Sequence, residues 1–339
     1  MKLKELAEEL RLSLTTVSRA LNGYPEVKRQ TRERVEEAAH RLGYIADTTA
    51  RRLAVDKIET IGLVIPRETT SVFGPDIIEF INGLAEVFAF DDVDLLVSPA
   101  RENVGVCRAL VESRRADAII LCYPGPDDEA IRFLAAAKFP FVVFGQSRSI
   151  VPHLWVDVAH QKAAYQATAH MLDLGHKLVA LIEAPKEFAL AEQREAGYRQ
   201  ALEEYGISAN RSLIVHDVLS EEAGYLHTRR LLKSGPLPTA FVISSVITAI
   251  GASRAIRERR LEDTISTITH DNVVPYLSPH TLFPSISTTS YPIHSVGKKV
   301  AEYALRLAHG EKNVGAGELL DTSLDVRTSS RGAPIKYAE

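Results

Sequence analysis

Residues 12–23 read LSLTTVSRALNG. The stretch opens on a serine, carries two threonines, a second serine and an arginine, and stops at Asn22-Gly23. A surface helix usually carries Glu and Lys, so the small hydroxyls need a reason. Val17, Ala20 and Leu21 recur at helical spacing and give an inward face, leaving Leu14, Thr15, Ser18 and Arg19 outward. Ser13 suits the N-cap, where its hydroxyl accepts from a backbone N–H two or three residues on. Upstream, Leu3, Leu6, Ala7 and Leu10 predict a short first helix, and "RLS" leaves room only for a turn. Downstream, Val35, Ala38, Ala39 and Leu42 predict a third helix from about Thr31 to Leu42, ended by Gly43. Three short helices with a tight first turn make a helix-turn-helix. Its second helix enters the major groove, where Arg can fork onto guanine O6/N7 and Thr can touch a thymine methyl. Short hydroxyls and one Arg are what such a face requires.

Charge agrees. The 339-residue chain has a net charge of −4, but residues 1–57 hold 12 Lys/Arg and 9 Asp/Glu, a net of +3, and the rest is −7. A basic head on an acidic body fits a nucleic-acid reader joined to something else. The length implies more than one domain. Two cysteines, Cys107 and Cys122, and no Cys-x-x-Cys leave neither a disulfide framework nor a zinc site. The charged start MKLKELAEEL is neither a signal peptide nor a membrane span, and no later apolar run approaches 18 residues. The cytoplasm is the expected place and no membrane partner is expected.

Residues 12–54 continue LSLTTVSRALNGYPEVKRQTRERVEEAAHRLGYIADTTARRLA. The ordered pattern T-V-S-R-x-L-N, V-x-x-x-T-R-x-x-V, L-G-Y and A-R-x-L-A resembles the head of the lactose-repressor (LacI) family of bacterial transcription regulators. The resemblance implies that Leu14, Thr15 and Arg19 read bases. It implies that Ser13, Thr16, Ser18, Asn22 and Tyr44 orient the helix or touch phosphates. Residues 47–54, DTTARRLA, match the family's hinge helix, which pairs with its copy in the minor groove at the operator centre. Leu53 is then the apolar wedge, Ala50 lies close to the bases, and Arg51 and Arg52 sit where phosphate contacts help. Two departures stand out. Arg11 occupies the turn position where the family often has Gly, and Ala46-Asp47 replaces the usual Pro-Asn before the hinge.

From residue 60 the pattern changes. Short apolar runs at 60–66, 94–98, 117–122 and 140–145 alternate with helical stretches near 76–90, 104–114 and 127–137. A second set of runs falls at 178–183, 213–215, 240–244 and 264–269, with helices near 160–174, 190–205, 221–233 and 246–259. A helix at 292–309 and a strand at 319–327 complete them. Two strand–helix series predict two doubly wound α/β lobes. The segments MLDLGHKLVALI and QREAGYRQALEEYGI extend the family resemblance, which implies a periplasmic-binding-protein-like body with three crossovers. The expected division is a helix-turn-helix domain at 1–46, hinge helix and linker at 47–58, and an effector-binding domain at 59–339. Within it, lobe one spans about 59–158 and 290–316, and lobe two about 159–289 and 317–332.

Ligands of open α/β sheets bind beyond the carboxyl ends of the strands. That rule selects Phe73, Gln146, Trp155 and Tyr291, and the resemblance adds Arg194 and Asp271 as effector-binding positions. Aromatic faces stack on sugar C–H faces, and Arg and Asp make charge-assisted hydrogen bonds to hydroxyls. Where many relatives have Asn-Asp, this chain has Ser245-Val246, so Ser245 is a weaker ligand contact. No evident cluster of basic residues awaits a phosphate, which favours a neutral mono- or disaccharide over a purine, nucleoside or phosphorylated effector. No metal or other cofactor is expected. Ser295-x-x-Lys298 has an acyl-transfer spacing without supporting motifs, and no phosphate-binding loop occurs, so an enzyme is not expected. A solute-binding protein would fit the body, but the head opposes it. The expected function is a repressor of a carbohydrate-uptake or catabolism operon. One head offers one recognition helix, so a homodimer on a pseudo-palindromic operator is expected.

Overall fold

Leu6, Ala7 and Leu10 are buried on α1 (Leu3–Leu10), Val17 and Ala20 on α2 (Leu14–Leu21), and Val35, Ala38 and Ala39 on α3 (Arg29–Arg41). These apolar stripes meet in one small core, with Leu3, Leu12, Leu21, Val27, Leu42 and Tyr44 packed around it. Arg11 ends α1 in the left-handed region, at φ 54°. Its N–H bonds to the Glu8 carbonyl and that of Leu12 to Ala7, which together close the helix and aim the chain into α2. Gly43, at φ 64°, ends α3 in the same manner through Tyr44 N–H to Ala39. The computed structural model describes residues 3–21, 24–44, 58, 60–67, 74–233, 235–271, 279, 282, 284–311 and 317–334. Residues 47–54, the expected hinge helix, lie outside them.

The chain divides into two units, residues 1–59 and 60–339. The second holds two six-stranded sheets. In the first lobe, β1 (Thr60–Pro66), α4 (Gly74–Asp91), β2 (Asp94–Ala100), α5 (Asn103–Glu112), β3 (Ala118–Cys122), α6 (Glu129–Ala136), β4 (Phe141–Phe144) and β5 (Leu154–Val158) follow in sequence. The chain then enters the second lobe through α7 (His160–Asp173), β6 (Val179–Glu183), α8 (Ala189–Glu204), β7 (Ile214–His216), α9 (Glu221–Leu231), β8 (Ala240–Ile243), α10 (Val246–Glu258), β9 (Ser266–Asp271) and β10 (Ser287–Ser290). It returns to the first lobe through α11 (Ile293–Ala308) and β11 (Glu318–Leu320), and crosses again to β12 (Ser323–Asp325).

The strand orders are β11-β5-β4-β3-β1-β2 and β12-β10-β9-β8-β6-β7. All neighbours run parallel except β10 and β12. Central strands covered on both faces read as unbroken apolar runs: every residue of β3, β4, β6 and β8 is buried. Burying each such Val, Leu or Ile stabilises by roughly 1.5–3 kcal/mol, which is why these runs override local propensity.

The structure adds two strands to the expected ones and divides a third. Leu154–Val158, which holds Trp155, is a strand paired with β4. Residues 287–290, Ser-Thr-Thr-Ser, also form a strand, because their hydroxyls and backbone are satisfied by neighbours, as in Ser287 Oγ to Arg327 O. The expected single strand at 319–327 is two strands in different sheets, so the third passage between lobes lies at Asp321-Thr322 rather than before residue 317.

Candidate functional site

In the head, the Ser13 hydroxyl accepts from Thr16 N–H at 3.0 Å and shares a 2.8 Å hydrogen bond with the Thr16 hydroxyl. Both caps therefore hold the start of α2. Leu14, Thr15 and Arg19 are exposed on its outward face, with Thr16 and Ser18 half-buried. Leu14 exposes 46% of its surface, an apolar residue left out of the head's own core. Tyr44 is half-buried against that core. Asn22, Ala50, Arg51 and Leu53 lie outside the described residues.

In the body, polar side chains gather where the second-lobe strands end. Glu183 is the last residue of β6 and fully buried. Its Oε1 accepts from Ala184 N–H at 2.8 Å and faces Arg194 Nη1 at 3.6 Å. Arg194 projects from α8, 2% exposed, and reaches the Ser244 carbonyl at 3.5 Å. His160 opens α7, and His270, next to last in β9, sets its Nδ1 against the Thr289 hydroxyl. Burial first, then the Arg194 charge, lowers both imidazole pKa values, that of His270 well below the ordinary value, so both rings are uncharged at neutral pH. Among the described residues, five buried atoms of this group lack hydrogen-bond partners: Arg194 Nε, Glu183 Oε2, Ser244 Oγ, His160 Nδ1 and His270 Nε2. A buried unpaired polar atom costs roughly 1–3 kcal/mol. Five of them, from β6, α7, α8, β9 and the turn after β8, mark a place built to meet something polar.

The first lobe supplies the facing wall. Gln146 follows β4, and its N–H donates to Asp157 Oδ2 at 3.1 Å. Asp157 Oδ1 takes the Val158 N–H at 2.8 Å and lies 3.3 Å from His160 Nε2. Asp157 thus fixes the wall and the start of α7 together. Gln146, Asp157 and His160 line a small cavity of about 10 Å³ between the lobes, with Tyr123 and Gly145 from the first and Leu190 from the second. Gln146 and His160 also line an adjoining open groove. Tyr291, 7% exposed, meets the His160 ring edge-on at 5.9 Å.

The expected residues divide. Gln146, Arg194 and Tyr291 come to this region. Asp271 ends β9 beside it, though its side chain and all of Phe73 lie outside the described residues. Trp155 does not come: it sits two residues before Asp157, roughly 6–7 Å back from the strand end. It packs on the first-lobe core and lines a separate groove with Phe139, Ile150 and Leu307. The Ser245 hydroxyl is committed to capping α10, accepting from Thr248 N–H at 3.2 Å and donating to the Thr248 hydroxyl at 2.9 Å. The partner-free hydroxyl is that of Ser244. Sequence reading missed Glu183, Ser244, His160 and His270, although a polar residue closing an apolar strand run was a visible signal for the first two. Lys298 of the acyl-transfer spacing is ion-paired with Glu86 at 2.6 Å, which holds the Glu86 carboxyl below its usual range.

Residues 2–47 match the family described as bacterial regulatory proteins, lacI family. Residues 58–315 match periplasmic binding proteins and sugar binding domain of LacI family. The chain belongs to the LacI family. It is similar to the HTH-type transcriptional regulator AglR of Rhizobium meliloti, 38% identical over 98% of this chain and 95% of the relative. It is also similar to the HTH-type transcriptional regulator RafR of Escherichia coli, 34% identical over 80% of this chain and 82% of that one. Among solved structures it resembles the Lac repressor dimer bound to operator and the anti-inducer ONPF, with a TM-score of 0.83 and 25% identity over 98% of this chain and 99% of that chain. The LacI-family chain is therefore a DNA-binding transcriptional regulator with a two-lobed, sugar-binding-type body. Among the described residues no helix is long and apolar enough to cross a membrane.

Proposed function

We propose that this regulator represses a carbohydrate-uptake or catabolism operon and is released or retained by a neutral mono- or disaccharide bound between its lobes. The observation that carries the ligand is the buried group around Arg194, whose five partner-free polar atoms lie on strand ends and the helices packed beside them. A sugar offers many hydroxyls that both donate and accept, which such a mixed set can satisfy. The two nearby histidines are uncharged, and Arg194 already faces a carboxylate, so the region supplies no surplus positive charge for a phosphate. The cavity between the lobes holds only about 10 Å³, against roughly 300–1,000 Å³ for ordinary ligand pockets, so the lobes must part to admit a sugar.

In the head, Leu14, Thr15 and Arg19 are the base-reading residues, with Ser13, Thr16, Ser18, Asn22 and Tyr44 orienting the helix or touching phosphates. Two copies bind a pseudo-palindromic operator, as a single recognition helix seldom supplies enough specific affinity. The protein acts in the cytoplasm, where its DNA lies, and catalyses no reaction. A panel of neutral sugars read by melting temperature tests the ligand class, since a ligand that binds only the folded state raises it. A rise with one neutral sugar, lost on mutation of Gln146, supports the reading. No rise with any neutral sugar at millimolar concentration removes it.

A further inference from the structure

Glu183 is buried completely, yet a strand end beside a cleft is an expensive place for a carboxylate unless it is paired and hydrogen-bonded. Only half of it is. Oε1 takes the Ala184 N–H and faces Arg194, whereas Oε2 has no partner. Arg194 is matched in the opposite sense: Nη1 faces Oε1 and the Ser244 carbonyl, and its Nε–H has no partner. The pair therefore presents one anionic acceptor and one cationic donor, both unspent. A hydroxyl group can serve either, donating to Oε2 or accepting from Nε–H. A carboxylate or phosphate oxygen can only accept. It would gain from Arg194 but meet the Glu183 charge, which lies 3.6 Å from that guanidinium.

We infer that Glu183 sets the charge class of the effector: with Arg194 it selects hydroxyl-bearing neutral sugars and rejects carboxylated or phosphorylated ones. This rests on the proposed sugar site between the lobes. The surrounding groups do not offset Glu183. His160 and His270 are uncharged, and the Asp157 carboxylate is engaged by two backbone N–H groups and His160. Without Glu183, the Arg194 charge would be the uncompensated one, and the preference should invert.

The test uses the full-length protein and its Glu183→Gln variant, titrated calorimetrically with a neutral sugar found in the melting panel, with D-glucuronate and with a hexose 6-phosphate. The parent should bind the neutral sugar and reject both anions by at least 100-fold. Glu183→Gln should bind an anion at least 10-fold more tightly than the parent does. Equal affinity of the parent for glucuronate and the neutral sugar overturns the inference and needs no variant. If the parent binds a neutral sugar but folded Glu183→Gln gains nothing for either anion, the inference falls and the sugar site stands. If the parent binds no neutral sugar while Glu183→Gln captures an anion, the charge assignment stands and the neutral-sugar reading falls.

Discussion

His270 and His160 are buried imidazoles held neutral, chiefly by burial and then by the Arg194 charge. Their pKa values are lowered in the folded protein, whereas the unfolded chain titrates near the ordinary 6.5. Below about pH 6.5 the unfolded state therefore binds protons that the folded state refuses, and stability falls as pH falls. The melting temperature should be nearly flat from pH 7 to 8 and drop steadily toward pH 5. His270→Gln, uncharged throughout, should shallow that drop, and a slope unchanged in the variant would show that His270 is not its source. Arg11 is a second residue whose environment contradicts its type. A non-glycine residue in the left-handed region costs roughly 1–2 kcal/mol, and Gly returns part of that through unfolded-state freedom. Arg11→Gly should stabilise the head by about 0.5–1 kcal/mol. Native-state hydrogen exchange at Leu6 and Val17 reads this directly.

Elements show what was legible in the sequence. The apolar runs of β1, β3, β4, β6 and β8 are plain because burial on both faces leaves polar residues only at strand ends, Thr60 and Glu183. β10 was hidden, since Ser287–Ser290 carries no apolar residue and is a strand only through partners far along the chain. β11 and β12 merged in the reading because nothing local marks the change of sheet at Asp321-Thr322. The site was half visible for the same reason. Arg194 and Gln146 follow from topology and resemblance, but the Glu183–Arg194 pair is a contact between a strand end and a later helix, which no spacing encodes. Helix packing supplies a further prediction. Gly197 on α8 lies so close to α7 that an added Cβ would stand 2.0 Å from the Gln161 carbonyl oxygen. Gly197→Ala must push the two helices apart, at a cost of about 1–3 kcal/mol, and they carry Arg194 and His160. Urea denaturation should show that loss, and neutral-sugar affinity should fall with it. On α2, removal of an outward group should act differently. Arg19→Ala is expected to relax base preference by roughly 1–3 kcal/mol without destabilising the head. Binding to randomised operators measures it, and an equal loss on every sequence would make Arg19 a phosphate contact instead.

At the scale of the molecule, the question is how a ligand between the lobes alters DNA binding. A ligand shifts an equilibrium only by its differential affinity for the two states. Arg194, Glu183 and Ser244 belong to the second lobe and Gln146 to the first, so a sugar touching both favours one lobe angle. Little opposes such a change. An ion pair across the cleft, Arg148 with Glu192 at 3.3 Å, is largely exposed, and such pairs contribute about 0–1 kcal/mol. The first-lobe strand β1 begins at Thr60, close in sequence to residues 47–54, which the family resemblance assigns to the hinge helix. A helix of that length is marginal alone, and in the proposed dimer it would be held by its copy. A lobe angle that separates the two copies should melt it and withdraw Leu53 from the minor groove. Leu53→Ala should therefore bind the neutral sugar as the parent does and lose operator affinity. The converse variant must spare the fold. Removing Arg194 alone would strand a buried carboxylate at a cost of about 3–5 kcal/mol, whereas replacing both partners with apolar groups is often nearly neutral. The double variant Arg194→Met with Glu183→Met is expected to hold operator DNA normally and ignore the sugar. Fluorescence anisotropy on labelled operator, with and without the sugar, reads both variants. A double variant that still responds to the sugar would place the effector away from this cleft, and a Leu53→Ala protein with full operator affinity would remove the hinge from the switch.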